Sequence, residues 1–223
     1  MTKVNSGSAS APGQTPTPAP FPLKPVILDE KASENLDIYI DMLLAWKKAI
    51  NLTGAASREK LLTDLIMDSF YLACFLEKIF PENWKGRLWD FGSGAGLPGI
   101  PLRIVWTRGD YTMIEAREKR ALFLSSVLAR LNLPFTRVFR GRAEKFAEAG
   151  QDSMKADCII SRAFMPWQKL LNFARPLLAG AGKIIIMENS PPPSPPDGWK
   201  IVAQGHYTCA LKTRWIWAFS ITA

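Results

Sequence analysis

Glycines recur at alternate positions in the run Trp89-Asp90-Phe91-Gly92-Ser93-Gly94-Ala95-Gly96-Leu97-Pro98-Gly99, directly after a short apolar segment. Residues 87–91 read as a buried strand, and the residues after Pro98 have helical spacing. A strand, a tight glycine turn and a helix start bring backbone N–H groups close to a ligand. A dinucleotide fingerprint needs glycine at the sixth position of the motif, where this chain has Leu97. Asp90, just before the first glycine, would repel a pyrophosphate but suits a cation. S-adenosylmethionine, with its sulfonium and ammonium groups, fits that requirement. Asp90, Gly92, Ser93, Gly94, Gly96 and Leu97 are therefore candidate cofactor-binding residues.

A second acid lies at the end of the next apolar run. Glu115 stands 19 residues after Gly96 and closes a strand read at 111–115. A carboxylate there can accept both hydroxyls of an adenosine ribose. The plainer alternative is a surface acid paired with Lys119, one helical turn on. The glycine turn upstream favours the ribose role.

These residues need a scaffold, and the chain alternates after Asp90 in a way that supplies one. Strands are read near 87–91, 111–115, 135–139, 157–161 and 182–188, with helices near 98–107, 117–132, 142–149 and 165–178. Alternation with short connections predicts a parallel sheet covered on both faces. Pro191 to Pro196 reads as a rigid loop. Residues 199–206 and 212–221 then read as two closing strands forming an antiparallel edge. Upstream, Leu36, Ile38, Tyr39, Ile40, Leu43, Leu44 and Trp46 recur with helical spacing, Asn51 to Gly54 is a break, and a helix pair follows from Glu59 to Phe80. Residues 1–25, rich in Ser, Ala, Thr and Pro, read as a disordered, dispensable tail. Residues 26–84 form a helical segment packed on a core domain of residues 85–223.

Composition narrows the partners. The chain has 223 residues, 48% of them hydrophobic, which is ample for one sizeable domain. Its apolar runs are too short for a membrane span, and no apolar signal segment opens it. Cys74, Cys158 and Cys209 are dispersed and His206 is the only histidine, so no metal site is expected. Unpaired thiols fit a reducing, cytoplasmic setting. Of the net charge of +8, residues 103–142 carry +6. A basic block interleaved with cofactor motifs points to an anionic macromolecule such as RNA.

The order of several motifs is more specific. Asn51-Leu52-Thr53, Asp68-Ser69, the run from Asp90 to Leu102, Lys119-Arg120, Phe123-Leu124, Arg142-Ala143-Glu144 and Ser161-Arg162-Ala163-Phe164 occur in sequence. Together they resemble the RsmG (GidB) family, bacterial methyltransferases of a guanine N7 in 16S ribosomal RNA. The resemblance spans about residues 29–222. It implies an α/β class I, Rossmann-like fold dependent on S-adenosylmethionine. That fold has a mostly parallel seven-stranded sheet, an antiparallel edge strand and an N-terminal helical extension. It places Gly92, Gly94 and Leu97 along the cofactor, Glu115 on the ribose, and Ala143 and Glu144 near the adenine. Arg162 falls at the mouth of the site. Lys119 and Arg142 match positions on the RNA face, and the local basic charge adds Arg120 and Arg162 as expected RNA-binding residues. The chain departs from the family at Asp64-Leu65, where members carry Arg-His, and at Glu188-Asn189, where they carry Lys-Gly. Both departures reverse a charge.

The chemistry so implied needs no general base, because guanine N7 carries a free lone pair. Orientation supplies the catalysis, and no catalytic acid or base is required. Arg162 and Glu188 are the positioning candidates, Glu188 because the methylated base becomes cationic. For Arg162 the alternative is an ion pair with an acid such as Asp90. Two other functions remain compatible with the sequence: a methyltransferase of the same fold with a different RNA substrate, and a non-catalytic RNA-binding or assembly protein that keeps the pocket. A small ribosomal subunit or its RNA is the expected partner, and a monomer is the expected state.

Overall fold

The computed structural model describes residues 17–47, 50, 52–54, 57–149 and 154–222. In chain order the elements are β1 (Phe21–Pro22), α1 (Glu30–Lys47), α2 (Arg58–Leu61), a π-helical turn (Leu62–Ile66), α3 (Met67–Ile79), β2 (Arg87–Phe91) and α4 (Gly99–Val105). Then come β3 (Asp110–Glu115), α5 (Glu118–Leu131), β4 (Thr136–Arg140), α6 (Ala143–Ala149), β5 (Ala156–Ser161) and α7 (Trp167–Ala174). β6 (Leu178–Glu188), β7 (Trp199–Cys209) and β8 (Lys212–Ile221) close the chain.

One sheet runs through the molecule in the order β1-β7-β8-β6-β5-β2-β3-β4. β2 lies between β3 and β5, parallel to both. Leu88 to Phe91 are all buried, as a central parallel strand covered on both faces requires. Successive side chains feed opposite faces. Leu88, Met113, Ile160 and Ile185 join one core with residues of α1, α3 and α5. Trp89, Phe91, Ile114, Ile159 and Ile184 join a second core with residues of α6 and α7.

The mostly parallel sheet is present as expected, with two differences. The antiparallel strand, β8, is not at the edge but lies between β6 and β7. The edge beyond β7 is occupied by an eighth strand, β1. Composition assigns β1 to the disordered tail, and for residues 17–25 the structure corrects that. Phe21 pairs with Gly205 and Pro22 with His206, and the Leu23 N–H donates to the His206 carbonyl at 2.9 Å. Phe21 stacks on Phe75 at 5.6 Å, and Leu23 is buried at 6% exposure. Two apolar side chains with a ready sheet edge suffice to order a segment that looks featureless by composition. Residues 1–16, and Asn51 of the expected break, lie outside the described residues.

α1 begins at a side-chain cap, with the Ala32 N–H donating to Asp29 Oδ1 at 2.7 Å. Its buried stripe, Leu36, Tyr39, Ile40 and Leu43, faces the core. The helix pair expected from Glu59 to Phe80 is one helical stretch widened in its middle by the π turn.

Deleting residues 1–24 is expected to destabilise the protein, contrary to the reading from composition. Burial of Leu23 alone contributes about 1.5–3 kcal/mol, and each 1 kcal/mol shifts Tm by roughly 2–4 °C at this size. Thermal unfolding of chains beginning at Thr17 and at Pro25 checks it. Equal melting temperatures would show that β1 adds nothing.

Candidate cofactor cleft and substrate pocket

Phe91 ends β2 opposite Ile114 and Ser161. The chain then turns at Gly92, whose φ of +74° is a conformation that side chains rarely adopt. Gly92 N–H donates to the Ile114 carbonyl at 2.9 Å, hanging the turn on β3. Gly94 and Gly96 also have positive φ, +58° and +84°. A Cβ at Gly92 would lie 2.7 Å from the Phe164 ring, and one at Gly96 would lie 2.5 Å from Ile100. A Cβ at Gly94 would be in ordinary contact, 3.7 Å, with Arg120 Nη1 and the Gly92 carbonyl, and Gly94 is not part of the lining of the neighbouring cleft. Tyr39 of α1 donates to the Ala95 carbonyl at 2.8 Å and holds the turn from outside the sheet.

Glu115 braces the turn. One carboxylate oxygen accepts from Gly94 N–H and the other from Arg117 N–H, both at 2.8 Å. Its own carbonyl accepts from Gly141 N–H at 3.0 Å. Three loops therefore converge on the end of β3. Between them lies a cleft of about 280 Å³ lined by Gly92, Ile114, Glu115, Ala116, Arg117, Arg120, Gly141, Ala143, Ala163 and Phe164.

The cleft gathers Gly92, Glu115 and Ala143 as expected, and it adds Arg120, which the sequence reading gave to RNA. It does not gather the rest. Asp90 is buried at 1% beneath the turn, where Tyr111 Oη donates to its Oδ2 at 3.2 Å. Ser93 is buried with its hydroxyl on the Asp90 carbonyl. Gly96 is packed under Ile100, and Leu97 packs against the core. Glu144 is exposed outside the cleft lining. Asp90, Ser93, Gly96 and Leu97 thus lie in or beneath the turn rather than along the cleft lining, and Glu144 stands outside it on α6. An acid before a glycine turn can face either the ligand or the core, and burial decided for the core.

Arg162 also lies elsewhere. It pairs with Asp68, Nη2 to Oδ2 at 2.9 Å, and donates to the Leu65 carbonyl at 3.1 Å. The ion-pair alternative is therefore what the structure contains, with Asp68 rather than Asp90 as partner. Asp68, 2% exposed, also accepts from Tyr207 at 2.8 Å and pairs with Arg214. Around this group lies a second pocket of about 390 Å³, lined by Asp64, Leu65, Asp68, Arg162, Ala163, Met187, Glu188, Asn189, Tyr207 and Arg214. Ala163, with a φ of +56°, lines both spaces and separates them. Sequence reasoning missed Tyr207 and Arg214, which reach Asp68 from 139 and 146 residues away. The strained Ala163 had no local signal.

The basic block divides in the same way. Arg103 is fully buried and donates to the carbonyls of Trp106, Thr107, Arg108, Gly109 and Pro134. Burial lowers its pKa to about 10, so it stays charged at neutral pH. Arg140 pairs with Glu118 at 2.6 Å. Arg117, Lys119, Arg130, Arg137 and Arg142 are exposed. Among the described residues no cluster could hold a metal ion, and no helix is long and apolar enough to cross a membrane.

Residues 32–192 match the family model described as rRNA small subunit methyltransferase G. The chain belongs to that family. It is 45% identical over 181 residues to the ribosomal RNA small subunit methyltransferase G of Nitratidesulfovibrio vulgaris, covering 81% of each chain. It is 39% identical over 204 residues to that of Oleidesulfovibrio alaskensis, covering 86% of this chain and 87% of the other. In solved structures the same fold occurs in a putative O-methyltransferase from Klebsiella pneumoniae, with a TM-score of 0.58 at 12% identity over 89% of this chain and 92% of that one. The METTL16 methyltransferase domain matches with a TM-score of 0.57 at 10% identity over 86% and 82%.

Asp90 yields a pH-dependent expectation. Burial pushes its pKa up from 3.8 to about 7, against smaller lowering effects of hydrogen bonds from Ser93 and Tyr111. A raised carboxyl pKa favours the folded state most below the unfolded value, and that contribution fades as pH rises through the folded value. The penalty for ionising Asp90 is thus small near pH 4 and complete above about pH 7. Asp90→Asn, which cannot ionise, is expected to gain more stability relative to wild type at pH 8 than at pH 5. Urea unfolding at both pH values measures this, and an identical difference at each would mean that Asp90 does not titrate in that range.

Proposed function

We propose that the protein transfers a methyl group from S-adenosylmethionine to N7 of a guanine in 16S ribosomal RNA. The observation that carries this reading is the pair of spaces meeting at Ala163, one built on the glycine turn and one beside it large enough for a base. Membership of the small-subunit rRNA methyltransferase family supports the RNA substrate.

The residues present fit the cofactor. Gly92 lines the cleft at a φ that side chains rarely adopt, and Glu115 has acceptor capacity beyond the amides it already holds, since each carboxylate oxygen has two lone pairs. Glu115 would hold the ribose, Ala143 would lie beside the adenine, and Phe164 would wall the cleft toward Ala163. When bound, S-adenosylmethionine supplies an electrophilic methyl group on a positively charged sulfur.

Guanine N7 needs no deprotonation, so the chain's task is to align its lone pair with the methyl and keep water away. The Asp68 pair fixes Arg162, and with it the backbone that carries Ala163 and Phe164. Arg117, Lys119 and Arg142 flank the cleft and would meet the RNA backbone, with Arg120 at the cleft itself. Arg162, fixed by Asp68, acts through position rather than as a free phosphate ligand.

The direct test is methyl transfer from labelled cofactor to small-subunit RNA, followed by nucleoside analysis. The label is expected as 7-methylguanosine, and 7-deazaguanine at the target is expected to abolish it. Label on another atom would move the reading to a different substrate, and binding without transfer would move it to an assembly role.

Glu115→Ala is expected to weaken both S-adenosylmethionine and S-adenosylhomocysteine, which share the ribose, by about tenfold to a hundredfold. Calorimetric titration decides, and affinities within twofold of wild type would remove Glu115 from the ribose.

Arg142→Ala is expected to weaken RNA binding and to lower the slope of log affinity against log salt by about one. Cofactor affinity should not change. An unchanged slope would place the RNA elsewhere.

A further inference from the structure

The second pocket is not the basic groove that phosphate binding alone would need. It holds the carboxylates of Asp64, Asp68 and Glu188 beside the guanidiniums of Arg162 and Arg214. Those guanidiniums are both committed to Asp68. Asp68 is itself saturated, with Tyr207 on one oxygen and the two arginines on the other. Asp64 accepts from the Thr63 hydroxyl at 3.1 Å. Glu188 differs. It is half-buried at the end of β6, lines the pocket, and has no hydrogen-bond or ion-pair partner among the described residues.

We propose that Glu188 reads the Watson–Crick edge of the target guanine, accepting hydrogen bonds from N1–H and the exocyclic amine while N7 faces the cofactor cleft. This rests on the methyl-transfer reading above and adds the residue that selects the base.

The placement follows from the strand order. The cleft lies over the ends of β2 and β3, Ala163 follows β5, and Glu188 ends β6 on the far side of β5 from the cleft. A purine lying over Ala163 has its N7 edge toward the cleft and its N1 edge toward β6. Guanine offers two adjacent donors on that edge, which an ionised carboxylate can accept in parallel. Adenine offers an acceptor at N1, which the same carboxylate repels. Guanine and adenine both carry N7, so N7 alone does not discriminate; the N1–H and exocyclic amine do, in addition to O6 against N6 on the N7 edge. Glu188 reads the N1–H and the amine from a strand rather than a loop.

The same contact assists the reaction. As N7 takes the methyl group, positive charge spreads over the purine and N1–H becomes a stronger donor. The bond to Glu188 is then stronger in the transition state than in the ground state, which is the condition for raising the rate.

The test compares small-subunit RNA carrying guanosine or inosine at the modified position, with full-length wild type and Glu188→Gln. Inosine keeps N7 and N1–H but lacks the amine. Wild type is expected to methylate the inosine RNA with kcat/KM lower by about tenfold. Glu188→Gln is expected to lose about tenfold to a hundredfold on the guanosine RNA, with kcat lowered. The inosine penalty should shrink to within about twofold in that variant, as coupling in a double-mutant cycle requires. Cofactor affinity and melting temperature should match wild type, so that a folding defect is not read as specificity. An inosine penalty of equal size in both proteins would overturn the proposal while leaving the methyl-transfer reading intact. Wild type that methylates neither RNA would overturn both.

Discussion

Asp68 is 2% exposed, and charged or hydroxyl groups from three other parts of the chain meet its carboxylate. Arg162 comes from the loop after β5, Tyr207 from β7 and Arg214 from β8. An unpaired carboxylate in that position would carry a heavy desolvation cost, which good geometry and full hydrogen bonding offset. Asp68 sits in the first turn of α3, so the N-terminal helices are bound through it to the carboxyl edge of the sheet. The same arginines reach the π turn, where Arg214 takes the Asp64 carbonyl, Arg162 takes the Leu65 carbonyl and Cys209 Sγ takes the Thr63 carbonyl. A π turn misaligns the regular helical ladder. Side chains from the opposite end of the sequence satisfy the carbonyls it leaves.

Charge in this protein therefore has two uses that composition does not separate. Arg103 and Arg162 serve the fold, the first by closing carbonyls at the foot of the sheet and the second by bracing the loop beside the cleft. Arg117, Lys119 and Arg142 stay exposed on loops and a helix start above the sheet. What distinguishes the two sets is whether carbonyls or carboxylates from distant segments lie within reach.

The parts of the fold that could be read from sequence are those set by neighbours in the chain. The strand at 87–91, the glycine turn after it and Glu115 at the end of β3 each follow from local spacing, and each is where the spacing puts it. The turn's interior was less legible. Whether Asp90 faces a ligand or Tyr111 depends on a strand neighbour 21 residues on. Arg162 could be given an acidic partner but not the right one, since Asp68 enters from α3, 94 residues earlier in the chain. β1 fails for the same reason in a stronger form: Phe21 and Leu23 acquire meaning only beside β7. The position of β8 inside the sheet likewise reflects the order in which strands add, which side-chain alternation does not encode.

The pairing of β1 with β7 also bears on how the chain is made. Pro18 accepts a hydrogen bond from Gln204, 186 residues later in the sequence. Synthesis delivers β1 well before β7, its one strand neighbour among the described residues. During that interval the backbone of Phe21 and Pro22 has no β7 edge to pair with, although Phe75, the ring on which Phe21 stacks, is made well before β7. The cofactor turn, by contrast, finds Tyr39 already made when Ala95 emerges. A nascent chain can assemble the glycine turn against α1 before β7 is made to receive β1.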